Sequence, residues 1–263
     1  RLDGTLVVDT GRSLIFPTGP CDSSGCQDTR IVAFEGSYYL FYCGWNINTV
    51  EGFGLGRVGI AKTDDFETVE KLGFITHYDW DKDAYIFPER VSGKIAYVHR
   101  IEPDIQIDYF DSIEDLLNPS FWARYDKKAC AESTIMTPVQ PWEGYKIGGS
   151  VPPIQTDKGW LFLYHGVSEV PDDDRFDFCY AAGAALLDLE NPSRVIARLP
   201  FPILEPEEDY ERFGDVNNVV FPVGGYVRDG DLYISYGCAD RCTAMAKVSV
   251  ADLLDELSQH PVT

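Results

Sequence analysis

The chain is 263 residues long, 44% hydrophobic and 13% aromatic, and its 43 Asp and Glu against 22 Lys and Arg give a formal charge of -21 at pH 7. That length suffices for one domain with a full core, expected over residues 1–263, while the charge repels nucleic acid and anionic membrane surfaces. An anionic ligand would need a local basic pocket inside an acidic, solubilising surface, and no run of about 18 apolar residues offers a membrane span.

The chain opens at Arg1, not Met, and shows no charged-then-apolar leader. This reads as a cytoplasmic protein without a signal peptide, with room for an N-terminal portion that the sequence does not carry. Beyond Arg1 to Pro20, four Gly-opened aromatic runs recur: GSYYLFYCGW (36 to 45), GKIAYVHRI (93 to 101), GWLFLYHGV (159 to 167) and GDLYISYGCAD (230 to 240). Each reads as a strand, and each is followed by a second extended segment, RVGIAKTDDF, DIQIDYF, AAGAALLDL and AMAKVSVADL in turn. Repeated small antiparallel sheets predict an all-β, five-bladed β-propeller, with Arg1 to Pro20 giving part of one incomplete blade. A β-sandwich with long loops is the alternative. Helical spacing is confined to the end, where VADLLDELSQ predicts a short C-terminal helix over 250–259.

In a propeller the innermost strands deliver polar residues to the axis, and the aromatic runs are taken as those strands. Their exits offer Arg100, His165 and Asp240, and the segments ahead of them add Asp28, Arg30, Lys82 and Asp83. Lys146 lies ahead of the third run in WEGYKIGGSVPPIQTDKGWLFLYHGV, where PPIQTDKG reads as a turn-rich crossing. Lys82, Arg100, Lys146 and His165 together suit a phosphate-sized dianion, since Arg binds two oxygens in a fork and Lys supplies a point charge. Other readings of the same residues stay open: solvated lysines, Arg100 paired with Glu102 or Asp104, and His165 as a core histidine. The seven cysteines, Cys21, Cys26, Cys43, Cys130, Cys179, Cys238 and Cys242, form no CxxC or short metal-binding spacing and read as reduced thiols.

The segments KDAYIFPERVSGKIAYVHR, WEGYKIGGSVPPIQTDKGWLFLYHGV, AAGAALLDLENPSRVIARLPFPILEPEEDYE, NNVVFPVGG and LYISYGCAD resemble, in order, signature segments of glycoside hydrolase family 130. That family contains β-mannoside phosphorylases, of which the mannosylglucose and β-1,4-mannooligosaccharide types are the expected ones here, and some β-mannosidases. The resemblance implies a five-bladed propeller, a β-mannoside oligosaccharide and inorganic phosphate as partners, and no metal or organic cofactor. Carried over by residue, it implies that Asp28 in CQDTRI is catalytic, although Gln27 and Thr29 depart from the family's Glu-Asp-Pro-Arg-like motif. It implies phosphate binding by Lys82, Arg100, Lys146 and His165, and sugar contacts from Arg30, Asp83, Asp104, Tyr180, Phe221 and Asp240. The first-blade segment of the family is not recognisable in Arg1 to Pro20.

The implied reaction is an inverting phosphorolysis of a terminal β-D-mannosyl residue, giving α-D-mannose 1-phosphate. Phosphate already carries charge and needs positioning, not a base, so one carboxylate facing a cationic cluster replaces the usual pair. The rivals are a β-mannosidase using water, with Asp83 as its base, and a non-catalytic glycan-binding propeller in which Trp45, Tyr180 and Phe221 stack on sugar. The acceptor sugar is expected to be set by the loops 46–56 and 168–177, and the oligomeric state, a homo-oligomer included, is left open.

Overall fold

The computed structural model describes residues 13–47, 55–75, 81–171 and 176–262. Four antiparallel sheets form in chain order. The first holds β1 (Gly25–Phe34), β2 (Ser37–Asn46), β3 (Leu55–Thr63) and β4 (Glu70–Phe74), and the second β5 (Lys82–Ile86), β6 (Ile95–Arg100), β7 (Ile105–Phe110) and β8 (Thr134–Met136). The third holds β9 (Lys146–Gln155), β10 (Trp160–Pro171), β11 (Phe176–Leu187) and β12 (Val195–Arg198), and the fourth β13 (Val220–Arg228), β14 (Asp231–Cys238) and β15 (Cys242–Ser249). The first strands of the sheets, β1, β5, β9 and β13, touch one another around an axis, which makes each sheet a propeller blade.

Two expectations need correction. The described residues make four blades, not five: residues 1–12 lie outside them, and 13–20 form turns and coil held by Asp22, whose Oδ1 accepts from the backbone of Thr18 and Gly19, each at 2.9 Å. The aromatic runs are the second strands of the blades, not the innermost. A strand flanked by neighbours and covered by adjoining blades is buried on both faces, so it reads as a continuous apolar run; every residue of β6 is buried. The innermost strands are more polar because they face the axis. The specificity loops also fall partly outside the described residues, at 48–54 and 172–175.

The C-terminal helix is present over Val250–Ser258, capped by Ser249, with Leu253, Leu254 and Leu257 buried. Shorter helices went unexpected: α1 (Ile113–Leu116), α2 (Pro119–Trp122) and α3 (Lys127–Ser133) between β7 and β8, then α4 (Asp209–Arg212) ahead of β13. Side-chain caps at Ser112, Asn118 and Asp126 start the first three, and the turn they make packs Trp122 and Tyr125 against Tyr97 and His99.

Each blade carries a similar internal fastening. A buried acid stands shortly before the innermost strand, namely Asp22, Asp81, Glu143 and Glu211. Three of them meet a residue of the second strand of the same blade, and Asp22 meets one on β4. Tyr164 on β10 donates to Glu143 at 2.7 Å, Tyr236 on β14 donates to Glu211 at 2.7 Å, and His99 on β6 lies 3.9 Å from Asp81. In the first blade Asp22 pairs with Lys71, whose ammonium sits over the Tyr42 ring. Glu143 also accepts from the backbone of Val139 and Gln140 and pairs with Arg198 at 2.7 Å. Glu143→Ala is therefore expected to lower stability by about 3–5 kcal/mol, as removal of one partner of a buried ion pair does. Tyr164→Phe should cost only about 1 kcal/mol, and urea unfolding of both variants checks the pair.

Candidate active site

The innermost strands reach the axis through matching irregularities. In β1 the register jumps from Gln27 opposite Cys43 to Arg30 opposite Phe41, so Asp28 and Thr29 together oppose one residue. In β5 it jumps from Lys82 opposite Arg100 to Tyr85 opposite Val98, leaving Asp83 and Ala84 in the same relation. These are β-bulges, which re-aim side chains at a sheet edge. Asp28 and Asp83 both adopt left-handed backbone, at φ 56° and φ 62°, a conformation that Asp tolerates better than most residues.

The two aspartates have different fates. Asp83 is 2% exposed and sits between two guanidinium groups: Arg30 Nη2 donates to its Oδ1 at 2.9 Å and Arg100 Nη1 to its Oδ2 at 2.6 Å. Burial alone would push its carboxyl up, but Arg100 first, with Arg30 and Lys82, outweighs this and holds it far below the usual carboxylate range. Asp28 instead faces a cavity of about 680 Å³, with Lys82 Nζ 3.4 Å from its Oδ2. Burial lowers the Lys82 ammonium pKa, but Asp83 and Asp28 more than reverse that.

Beneath the cavity the cluster draws on all four blades. Arg30 also donates to the Asp28 carbonyl at 2.7 Å and lies over the Phe221 ring at 5.2 Å. His165 is fully buried, 3.6 Å from Asp83 Oδ2 through Nε2, with Ser150 Oγ 3.1 Å from its Nδ1. Burial drives the imidazole well below its ordinary pKa, so the ring is neutral. The glycine pair ahead of Ser150 permits this packing: a Cβ on Gly148 would fall 2.6 Å from the His165 ring and 3.0 Å from Asp83. At the side, Glu102 Oε1 takes a hydrogen bond from Lys146 Nζ at 2.8 Å and lies 2.9 Å from Arg100 Nη2. Arg100 Nη2 and Nε and His165 Nε2 nonetheless have no aligned hydrogen bond, and burial and Arg100 lower the Lys146 pKa. Three buried nitrogen sites without an aligned partner, beside a lysine, are donors of a kind that suits a polyoxygen anion.

Of the residues singled out in the sequence, Asp28, Lys82, Tyr180, Phe221 and Asp240 line the cavity. Arg30, Asp83, Arg100 and His165 form the buried layer below it, and Lys146 joins through Glu102. Asp104 stands on the turn between β6 and β7, and among the described residues no ion pair links it to this cluster. Ser150 and the Gly148–Gly149 pair were not singled out, although a diglycine inside an extended segment signals close approach by another group. Glu102, which the sequence offers as a partner of Arg100, also holds Lys146. No group of three or more His, Cys, Asp or Glu arranged to hold a metal occurs among the described residues. Asp83→Asn should remove the negative charge that both guanidinium groups share and cost about 3 kcal/mol or more, measured by urea unfolding without ligand.

A family model described as beta-1,4-mannooligosaccharide phosphorylase matches residues 3–259. A 1,2-beta-oligomannan phosphorylase from a Thermoanaerobacter species is 36% identical over 87% of this chain and 70% of its own length. A beta-1,4-mannooligosaccharide phosphorylase from Ruminococcus albus is 30% identical over 89% of this chain and 65% of its own. The solved structure of a beta-1,2-mannobiose phosphorylase from Listeria innocua, in complex with beta-1,2-mannobiose, is similar with a TM-score of 0.72 at 28% identity, covering 93% of this chain and 64% of that one. The chain thus spans about two thirds of the length of the relatives it matches. With the family model running almost from end to end, the chain belongs to glycoside hydrolase family 130.

Proposed function

We propose that the chain performs inverting phosphorolysis of a terminal β-D-mannoside, with Asp28 as the acid and the buried cations as the phosphate seat. The observation that carries this reading is the set of buried nitrogen sites without aligned partners on Arg100 and His165, next to a cavity whose wall holds Asp28. Phosphate oxygen forms the new bond to the anomeric carbon as the glycosidic bond breaks on the opposite face. Asp28 supplies the proton for the leaving oxygen through the 3-hydroxyl of the sugar. Arg100, Lys146 and Lys82 hold the nucleophile's charge in place, and fixing it lowers the entropic part of the barrier. Neutral His165 donates a hydrogen bond and moves no proton.

Water as the nucleophile would need a base, and Asp83 is poorly suited to that task. It is enclosed between two arginines, and a carboxyl held so far below its ordinary range takes a proton poorly. The named activities of the relatives support the same choice, and those at 36% and 37% identity act on β-1,2-linked mannosides.

β-1,2-Mannobiose, β-1,4-mannobiose and mannosylglucose, each with and without inorganic phosphate, provide the test. Mannose 1-phosphate is expected only when phosphate is present, and Asp28→Asn should reduce its formation by roughly 10²–10⁴-fold. Free mannose at a rate indifferent to phosphate would transfer the protein to the hydrolases. Glu102 offers a second check, because its carboxylate sits where it competes with phosphate for Arg100 and Lys146. Glu102→Gln is expected to lower the KM for phosphate severalfold, with the KM for the mannoside little changed.

A further inference from the structure

We propose that Cys238 and Cys242 form a dithiol site that closes to a disulfide at the rim of the cavity and clasps the loop carrying Asp240. The two are directly opposite in the β14–β15 register, and among the described residues no other two cysteines are register partners. Opposed residues of an antiparallel pair point to one face with Cα atoms about 4.5–5.5 Å apart, within the span that a disulfide bridges. Cys238 is fully buried, whereas Cys242 is exposed and lines the cavity beside Asp240 and Arg241. The thiols are close enough to hydrogen bond; burial first, and Cys242 next, push the Cys238 thiol up to about 12. Cys242 is therefore the accessible first nucleophile and Cys238 the resolving thiol.

Only Ala239, Asp240 and Arg241 separate them, and this loop has little slack. Ala239 and Asp240 are left-handed at φ 47° and φ 52°. Ala239 N donates to the Val219 carbonyl at 3.1 Å, and its own carbonyl accepts from Asp215 and Val216 at 2.9 and 3.2 Å. A Cβ on Gly214 would fall 2.1 Å from that carbonyl, so the segment over the loop is pressed against it. Asp240 carries a raised pKa, from burial first and from Asp28 across the cavity second, so its placement bears on the acid. A covalent bond at the base of the loop changes how Asp240 can adjust to a ligand. The effect on sugar binding rests on the mannoside reading above; formation of the bond does not.

The oxidant class is a small-molecule disulfide. The Cys242 thiolate attacks it, forming a mixed disulfide and releasing one small thiol. Cys238 then loses its proton and attacks Cys242 Sγ, releasing the second. Two protein thiols and one small disulfide become one protein disulfide and two small thiols.

The full chain treated with oxidised glutathione, alkylated and digested with trypsin tests this, because cleavage after Arg228, Arg241 and Lys247 puts the two cysteines on separate peptides. The expected result is a disulfide joining peptides 229–241 and 242–247, loss of two of the seven thiols, reversal by dithiothreitol and no such link in Cys242→Ser. The oxidised form should also show a changed KM or Kd for mannobiose, restored on reduction. Glutathione remaining on Cys242, linkage to another cysteine, or a closed disulfide that leaves mannobiose binding unchanged would overturn the proposal. Reduced protein that neither binds nor cleaves any mannoside would count against the proposed function, while the peptide map would still decide the dithiol.

Discussion

A carboxylate withdrawn from water between two guanidinium groups is the interaction around which this propeller is arranged. Asp83 takes hydrogen bonds from Arg30 of the first blade and Arg100 of the second, and His165 of the third lies 3.6 Å away. An ionised side chain in such a place is sustained only by close partners, because the desolvation of each ion is otherwise several kcal/mol. With its partners present, Asp83 confines two arginines that would repel one another to one small volume. It keeps the remaining donors of Arg100 oriented. Preorganised charge of this sort requires no rearrangement when an anion arrives, so a negative group beneath the cations is compatible with anion binding above it.

The same backbone device is used twice with different outcomes. A bulge with a left-handed aspartate occurs in β1 and again in β5, yet Asp28 lines the cavity and Asp83 lies in the ion cluster. Surroundings decide the roles. Asp83 meets arginines from two blades, whereas Asp28 meets one lysine and open space. Two chemically identical side chains thus become a buried counterion and a cavity-lining carboxyl on one duplicated frame.

Much of this was legible in the sequence because it repeats. The Gly-opened aromatic runs showed the blades, and Arg100 and His165 at their exits pointed to the cluster. What was misread follows from geometry: the most apolar runs are the strands most enclosed, so they marked the middle of each blade and not its axial edge. Bulges left no trace in residue pattern, so Asp83 looked like a cavity residue or a base when it is an internal counterion. Ser150 with its preceding glycines escaped notice because its role depends on His165 across the next strand, fifteen residues away. The short helices around Trp122 were missed because each is held by one capping side chain and has no periodic face of its own.

The buried acids ahead of the blades have a consequence for how the molecule holds its shape. Each one fastens its loop to another strand of its own blade, the second in three blades and the fourth, through Lys71, in the first, so these links tighten blades individually and join none to another. Between the first three blades polar contacts join at the axial cluster and also at the periphery, where Arg90 meets Glu35 at 2.6 Å and Tyr109 meets Ser193 at 2.9 Å, and Phe221 adds the fourth blade under Arg30. Part of the ring's cohesion and the proposed phosphate seat therefore share residues. An anion settling on Arg100 and Lys146 would act as mortar as well as substrate, and occupancy should stiffen the whole circle of blades, as binding selective for the folded form does.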